Sequence, residues 1–139
     1  MLKEVHAVTS FLKSQNEILI LLRSEHVRTY QGRWGGISGL IDGARTADEQ
    51  ALLEIAEETG LSNQDIKLVG KGESLVIDDE VLHLRKVIYP YLYYVEDPCK
   101  IKLDWEHKEM RWIRPEDLKN YDTMPQLRET LAKVLDYQF

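Results

Sequence analysis

The chain has 139 residues, a net charge of −6 and 43% hydrophobic residues, enough apolar content to bury a core and the length of one domain, 1–139. The acidic balance argues against a coat for nucleic-acid polymers, whose footprint is basic, but leaves room for a local pocket that takes a nucleotide. A single cysteine, Cys99, cannot form an internal disulfide, and there is neither a signal-like N-terminus nor an apolar run of about 18 residues, so the expectation is a cytoplasmic protein away from the membrane.

Val5 to Phe11 and Glu17 to Leu22 read as strands around a turn at Lys13–Asn16. The run ILILL at 18–22 has strand length and no alternation, which predicts burial on both faces. Arg23 to Arg33 is a polar loop containing Arg23, Arg28, Tyr30 and Arg33. Read structurally it is a solvated connection; read functionally its guanidinium forks receive phosphate oxygens. Tyr30 or Trp34 could stack on a base, although Trp34 serves equally as a core anchor. The glycines at 32, 35, 36, 39 and 43 fit neither G-x-G-x-x-G nor a Gly-Lys-Ser/Thr loop. They instead let the backbone come close to a ligand or metal.

Thr46 with Glu49 forms a capping box, and Gly60 supplies a left-handed stop onto which Leu61 folds back, so a helix spans the interval. At about 100° per residue, Ala51, Leu52, Ile55, Ala56 and Thr59 form one side, and Glu54, Glu57 and Glu58 the other. These carboxylates repel at i+3 and i+4, and Glu57 and Glu58 also face the negative end of the helix dipole. A hard divalent cation would reverse both penalties. The plain alternative is a solvated acidic face.

Ile66 to Lys71 reads as a strand, Asp78-Asp79-Glu80 as a charged hairpin turn, and Leu82 to Val95 as the longest strand. Along it Tyr89, Tyr91 and Tyr93 share a face. Pro90 implies an edge strand, a bulge or two shorter strands, and a tyrosine-rich edge would suit pairing in a homodimer. Asp104 to Glu109 precedes a strand ending at Trp112–Ile113, and Pro115 opens a short helix. Pro125 to Tyr137 places Leu127, Leu131, Val134 and Leu135 on one helical stripe, capped by Asp122 or Thr123.

Gly39, with Glu54-Ile55, Glu57-Glu58 and Gly60-Leu61, resembles the box of the Nudix (MutT-like) hydrolase family, G-x5-E-x7-R-E-U-x-E-E-x-G-U, where U is aliphatic. Trp34-Gly-Gly-Ile-Ser-Gly39 resembles the usual approach to that box. Arg45 and Leu53 stand where the family has a glutamate and an arginine that pair and steady the loop–helix geometry. The resemblance implies an α/β (α+β) fold, an α/β/α sandwich around a mixed sheet. It implies hydrolysis of the pyrophosphate bond of a nucleoside diphosphate linked to another moiety, a nucleotide sugar or nucleoside triphosphate type of substrate, with Mg2+ or Mn2+. The metal would rest on Glu54, Glu57, Glu58 and the backbone carbonyl of Ser38. Glu106 or Glu109, with His107 as a third candidate, would add a late-loop ligand or base to the catalytic glutamates. Arg23, Arg28, Tyr30, Arg33 and Arg45 would meet the substrate. With the Glu–Arg pair missing, the alternative is a non-catalytic module of this fold that binds nucleotide or a protein partner.

Overall fold

The structure is a computed structural model and describes residues 1–135. At the centre of its eight-stranded mixed sheet, β1 (Lys3–Ser14) and β7 (Leu84–Val95) run parallel, with Lys3 opposite Leu84 and Lys13 opposite Tyr94. The other strand pairings are antiparallel. The free edge of β1 is divided between β4 (Ile37–Leu40), along Ala7–Ser10, and β2 (Glu17–Arg23), which turns back at Lys13–Ser14. β2 carries β3 (Trp34–Gly35) and β8 (His107–Ile113). The far edge of β7 is divided between β6 (Leu75–Asp79) and β5 (Ile66–Lys71).

That division explains Pro90. The expected edge, bulge or break is not found, since β7 is continuous and has partners on both sides. β6 pairs with Leu84–Ile88 and β5 with Tyr91–Val95, so Pro90 lies in the gap between them. Its carbonyl accepts the Gly72 N–H at 3.0 Å on that side. The N–H that proline lacks would have pointed the same way, into the gap, so no ladder bond is lost. The tyrosine strand is central, and the edge-pairing argument for a homodimer falls with it.

Two apolar layers cover the two faces of the sheet. Leu19 and Leu21 join Val8, Tyr91 and Tyr93 beneath α1 (Ala47–Thr59), which contributes Ala51 and Ile55. Ile18 and Ile20 join Phe11, Leu92 and Leu118 on the opposite face with α2 (Leu127–Ala132), which contributes Leu127 and Leu131. The run at 18–22 is thus buried on both faces, as its composition requires, and the layering is the α/β/α sandwich. Tyr91 stacks on Tyr93 at 6.0 Å and donates from its hydroxyl to Asp48 on α1 at 2.6 Å, so the tyrosine row is packing.

α1 has the predicted ends, a capping box of Thr46 and Glu49 and a left-handed Gly60 at φ 76°. Its faces differ from the expected division. Glu58 is buried with Ala51, Ile55 and Thr59, whereas Ala56 and Glu57 are exposed. At about 100° per residue Glu58 lies only about 20° from Ala51, so the edge of the acidic arc overlaps the buried stripe. Near the C-terminus, α2 starts from Gln126, in a left-handed conformation, without a side-chain cap. Asp122 and Thr123 do not cap it because their segment pairs with Trp34: the Trp34 N–H donates to the Asp122 carbonyl, and the Met124 N–H to that of Trp34. α2 ends at Ala132, short of the expected stripe: the Lys133 and Val134 N–H groups donate to the Thr130 and Leu131 carbonyls in i+3 turns, and the expected end at Tyr137 lies outside the described residues. Among those residues, no helix is long and apolar enough to cross a membrane.

Candidate functional site

Gly39 closes β4 one residue before its end, and the Glu54 carboxyl lies directly on it, so closely that a Cβ there would overlap the carboxyl group. Only glycine admits that approach. One helical turn on, Glu58 is 1% exposed. The loop between β7 and β8, docked on the end of α1, completes the pocket: the Lys102 N–H donates to the Thr59 carbonyl at 2.8 Å, and the Ser24 N–H and hydroxyl hold the Glu106 and Trp105 carbonyls at 2.8 Å each. Asp104 accepts the Glu106 N–H at 3.2 Å, which turns the chain so that Glu106 and His107 approach α1. His107 is also buried, with Nε2 3.8 Å from Glu58 Oε1 and Nδ1 3.5 Å from Asp104 Oδ1.

The pocket concentrates negative charge. Burial, with Glu54, Glu106 and Asp104 nearby, pushes the Glu58 carboxyl up to about 11. Burial and Asp104 also raise Glu106, while burial lowers His107. Glu58 Oε2 is buried and has no hydrogen-bond partner. Glu54 faces it, but two carboxylates have no proton to donate to one another, so a proton or a cation must come between them. That orphaned oxygen fits a hard divalent ion. Among the described residues, no three His, Cys, Asp or Glu side chains form a ready-made cage. Magnesium characteristically takes one or two carboxylates and fills its other positions with water and substrate phosphates.

The structure brings together Glu54, Glu58 and Glu106, with His107 beside them and Ser38 next to Gly39. Glu57 is exposed on the adjoining flank of α1. Glu109 lies elsewhere. A register shift between Leu22 and Arg23 leaves Lys108 as an extra residue on β8, which breaks the alternation between His107 and Glu109. Glu109 instead pairs with Arg111 at 3.0 Å, and the Arg111 guanidinium lies over Trp34 and Tyr121 toward the α2 face. Trp34 is a core anchor, edge-on to Tyr121 at 5.4 Å.

The cationic loop proves to be internally braced. Arg23 donates to the Thr29 carbonyl from both Nε and Nη2, at 3.2 and 2.9 Å. Arg33 donates to the Thr123 carbonyl at 3.1 Å and lies over the Tyr30 ring. Tyr30, at φ 52°, donates its hydroxyl to Asp79 at 2.8 Å. Asp79 also holds Lys86 at 3.2 Å and is 4% exposed, so the expected solvated turn at 78–80 is corrected there: Asp79 ends β6 and anchors the loop. Arg28 is exposed, and Arg45 pairs with Asp42 at 3.3 Å on the surface. A cavity of about 190 Å³ on the α2 side of β4 is lined by Thr9, Arg23, Ser38, Gly39, Asp79 and Lys86, among others. Gly39 therefore has the cavity on one side and the acidic pocket on the other.

Sequence reasoning missed Asp79, Lys86, Asp104, Trp105 and Gln50. The first four carry no local signal. Gln50 had one, its i+4 spacing to Glu54, and its amide donates to Glu54 Oε2 at 2.7 Å. Trp105, next to Glu106 in the chain, is 65% exposed, whereas Trp34 is buried.

The family description that matches the sequence is the NUDIX domain, over residues 3–135. The chain belongs to the NUDIX family. No curated protein matches it in sequence. Solved structures resemble this Nudix chain at low identity. The MutT protein from Methanosarcina mazei Go1 shares 23% identity, covering 94% of this chain and 92% of that one, with a TM-score of 0.79. An Ap4A hydrolase from C. elegans, in a binary complex, shares 19% identity over 93% of each chain, with a TM-score of 0.77. A bifunctional NMN adenylyltransferase/ADP ribose pyrophosphatase from Francisella tularensis, complexed with AMP and a manganese ion, shares 16% identity over 95% of this chain and 41% of that one, TM-score 0.77. At these identities the likeness is one of fold.

Proposed function

We propose that this Nudix enzyme hydrolyses the pyrophosphate bond of a nucleoside diphosphate linked to another moiety, with Mg2+ or Mn2+ held by Glu54 and Glu58. The observation that carries this reading is the partnerless, buried Oε2 of Glu58 among Glu54, Glu106 and Asp104. Glu57, on the exposed flank, adds charge toward the ion, and the Ser38 carbonyl adjoins the same glycine. When bound, such an ion neutralises phosphate oxygens and eases ionisation of the attacking water. Glu106 suits the general base, since burial and Asp104 raise its proton affinity above that of an ordinary carboxylate. Water adds to phosphorus, its proton passes to a Glu106 carboxylate oxygen, and the bridging P–O bond breaks to release two phosphate-bearing products. The cavity across Gly39, with Arg23 and Lys86 in its wall, takes the nucleoside end. The exposed lone Cys99 agrees with the reducing cytoplasm as its setting.

The test is turnover of a nucleotide panel with Mg2+ or Mn2+, beside a Glu58→Gln control. Turnover of one nucleotide class that disappears in the control supports the reading. Silence across the panel, with no metal response in the melting midpoint, replaces it with the non-catalytic binding module.

A further inference from the structure

Gln50 is 3% exposed, and both ends of its amide are engaged. Its Oε1 accepts the Asp42 N–H at 3.1 Å, and its Nε2 donates to Glu54 Oε2 at 2.7 Å. Asp42 follows β4 in the chain, three residues after the glycine on which the Glu54 carboxyl rests. The contacts therefore close a ring, from Gly39 along the backbone to Asp42, across the Gln50 amide to Glu54, and from Glu54 back to Gly39. We infer that Gln50 is a positioning residue, which locks the Glu54 carboxylate in its rotamer and ties the loop after β4 to α1, so that the acidic pocket is preformed. The inference rests on the reading of Glu54 and Glu58 as the metal site.

The chemistry selects an amide. Its carbonyl accepts an N–H while its NH2 donates to a carboxylate; a glutamate in its place could only accept, and an aliphatic side chain could do neither. A buried amide that merely satisfied itself could have used backbone groups for both bonds. Here one of the two goes to an acidic side chain of the pocket. The other fixes that carboxylate relative to the strand that carries Ser38 and Gly39. The surface pair at the loop, Arg45 with Asp42, does not reach across to the helix carboxylates, leaving Gln50 as the link between loop and pocket.

The test uses Gln50→Met, similar in length but without hydrogen-bonding groups, and Gln50→Asn, which keeps the amide one methylene short of spanning both partners. Mn2+ binding to the nucleotide-free protein is measured by electron paramagnetic resonance, next to kcat, KM and the metal-free melting midpoint. Positioning predicts that Mn2+ Kd weakens by roughly 10- to 100-fold, the usual loss when a ligand's outer partner is removed, with kcat falling and KM nearly constant. If Gln50→Met fails to fold, Gln50→Asn gives the same reading. Unchanged Mn2+ affinity and kcat, however far the melting midpoint drops, would overturn the inference and leave a structural amide. If wild type and Glu58→Gln bind Mn2+ equally weakly, the metal site itself is wrong and the inference falls with it. If wild type binds tightly and Glu58→Gln does not, the Gln50 variants decide the inference alone.

Discussion

The acidic pocket beneath α1 and the cationic loop across Gly39 from it differ in how their charges are answered. In the loop, Arg23 gives two donors to the Thr29 carbonyl, Arg33 bonds the Thr123 carbonyl, and Tyr30 and Lys86 converge on Asp79. In the pocket, Glu58 is buried among other acids with one oxygen that nothing meets. The loop is complete as folded and its bonds support the fold. The pocket carries a cost until a cation arrives, because its acids must either take up a proton on folding or bury an unpartnered charge. Unsatisfied groups mark where the ligand belongs, and satisfied ones mark the walls that hold it.

The largest expected effect comes from Glu58→Gln. Turnover should fall at least 100-fold, beyond the roughly 10- to 100-fold loss of an outer-shell change. The same substitution should raise the metal-free melting midpoint, because an amide is neutral without the proton that the buried Glu58 carboxyl must take up on folding. Glu57→Gln, on the exposed flank, should cost turnover less. A Glu58→Gln protein that is both fully active and less stable would reverse the assignment and make Glu58 part of the wall.

The pH dependence of stability sharpens the same contrast. The folded state holds a proton on Glu58 up to about 11, whereas the unfolded chain releases it in the ordinary glutamate range, near about 4.3. The native state therefore binds more protons, and the Glu58 contribution is fully present below that ordinary range and lost as pH rises toward the folded value, at no more than about 1.4 kcal/mol per pH unit. Glu106, raised by burial and Asp104, shifts in the same direction. Asp48 and Asp79 are lowered and act oppositely, losing their contribution in acid as pH falls through their folded values. Melting of metal-free protein from about pH 6 to about pH 9, above the carboxylate range, should show a falling midpoint in wild type and a flatter line in Glu58→Gln. Mg2+ should restore most at the alkaline end, where the ionised site is the form it binds.

How much of this was legible follows the range of the interactions. Thr46, Glu49 and Gly60 act within one turn of themselves, and both helix ends could be read from three residues. ILILL needed only its own composition to declare burial on both faces. Glu58 was visible as an acid but placed on the wrong side of the wheel's boundary, since its neighbours Ala51 and Ile55 already defined the buried stripe about 20–60° away. The choice of Glu106 over Glu109 turns on one extra residue in β8, a register feature that no local pattern announces. Pro90 was misjudged for the same reason, because its missing N–H matters only if a neighbouring strand lies opposite, and β5 and β6 leave that place open. The Tyr30–Asp79 bond joins residues 49 positions apart, so only the folded chain contains it.

Tyr30→Phe tests the wall directly. It removes one hydrogen bond to the buried Asp79 carboxylate, which still has Lys86 and the Leu82 N–H, so the loss should be about 1–2 kcal/mol of stability. Turnover should change little in kcat, with any effect confined to KM through a looser loop. Abolished turnover at an unchanged melting midpoint would instead place the Tyr30 hydroxyl on the substrate.

Arg45→Ala should move least, and for that reason it separates surface charge from site charge. Arg45 lies 3.3 Å from Asp42, and both side chains are substantially exposed, a geometry in which water and salt screen most of the attraction. Stability should stay within about 0.5 kcal/mol of wild type, the range of exposed pairs. KM should also hold, because the pair stands outside the cavity wall formed by Arg23 and Lys86. A KM increase of about tenfold, equivalent to about 1.4 kcal/mol of binding, would show that Arg45 leaves Asp42 to meet the phosphates. Its salt dependence would tell which kind of contact that is. A contact desolvated by the bound nucleotide would persist as ionic strength rises, whereas long-range attraction would fade over about a Debye length of 10 Å at 0.1 M.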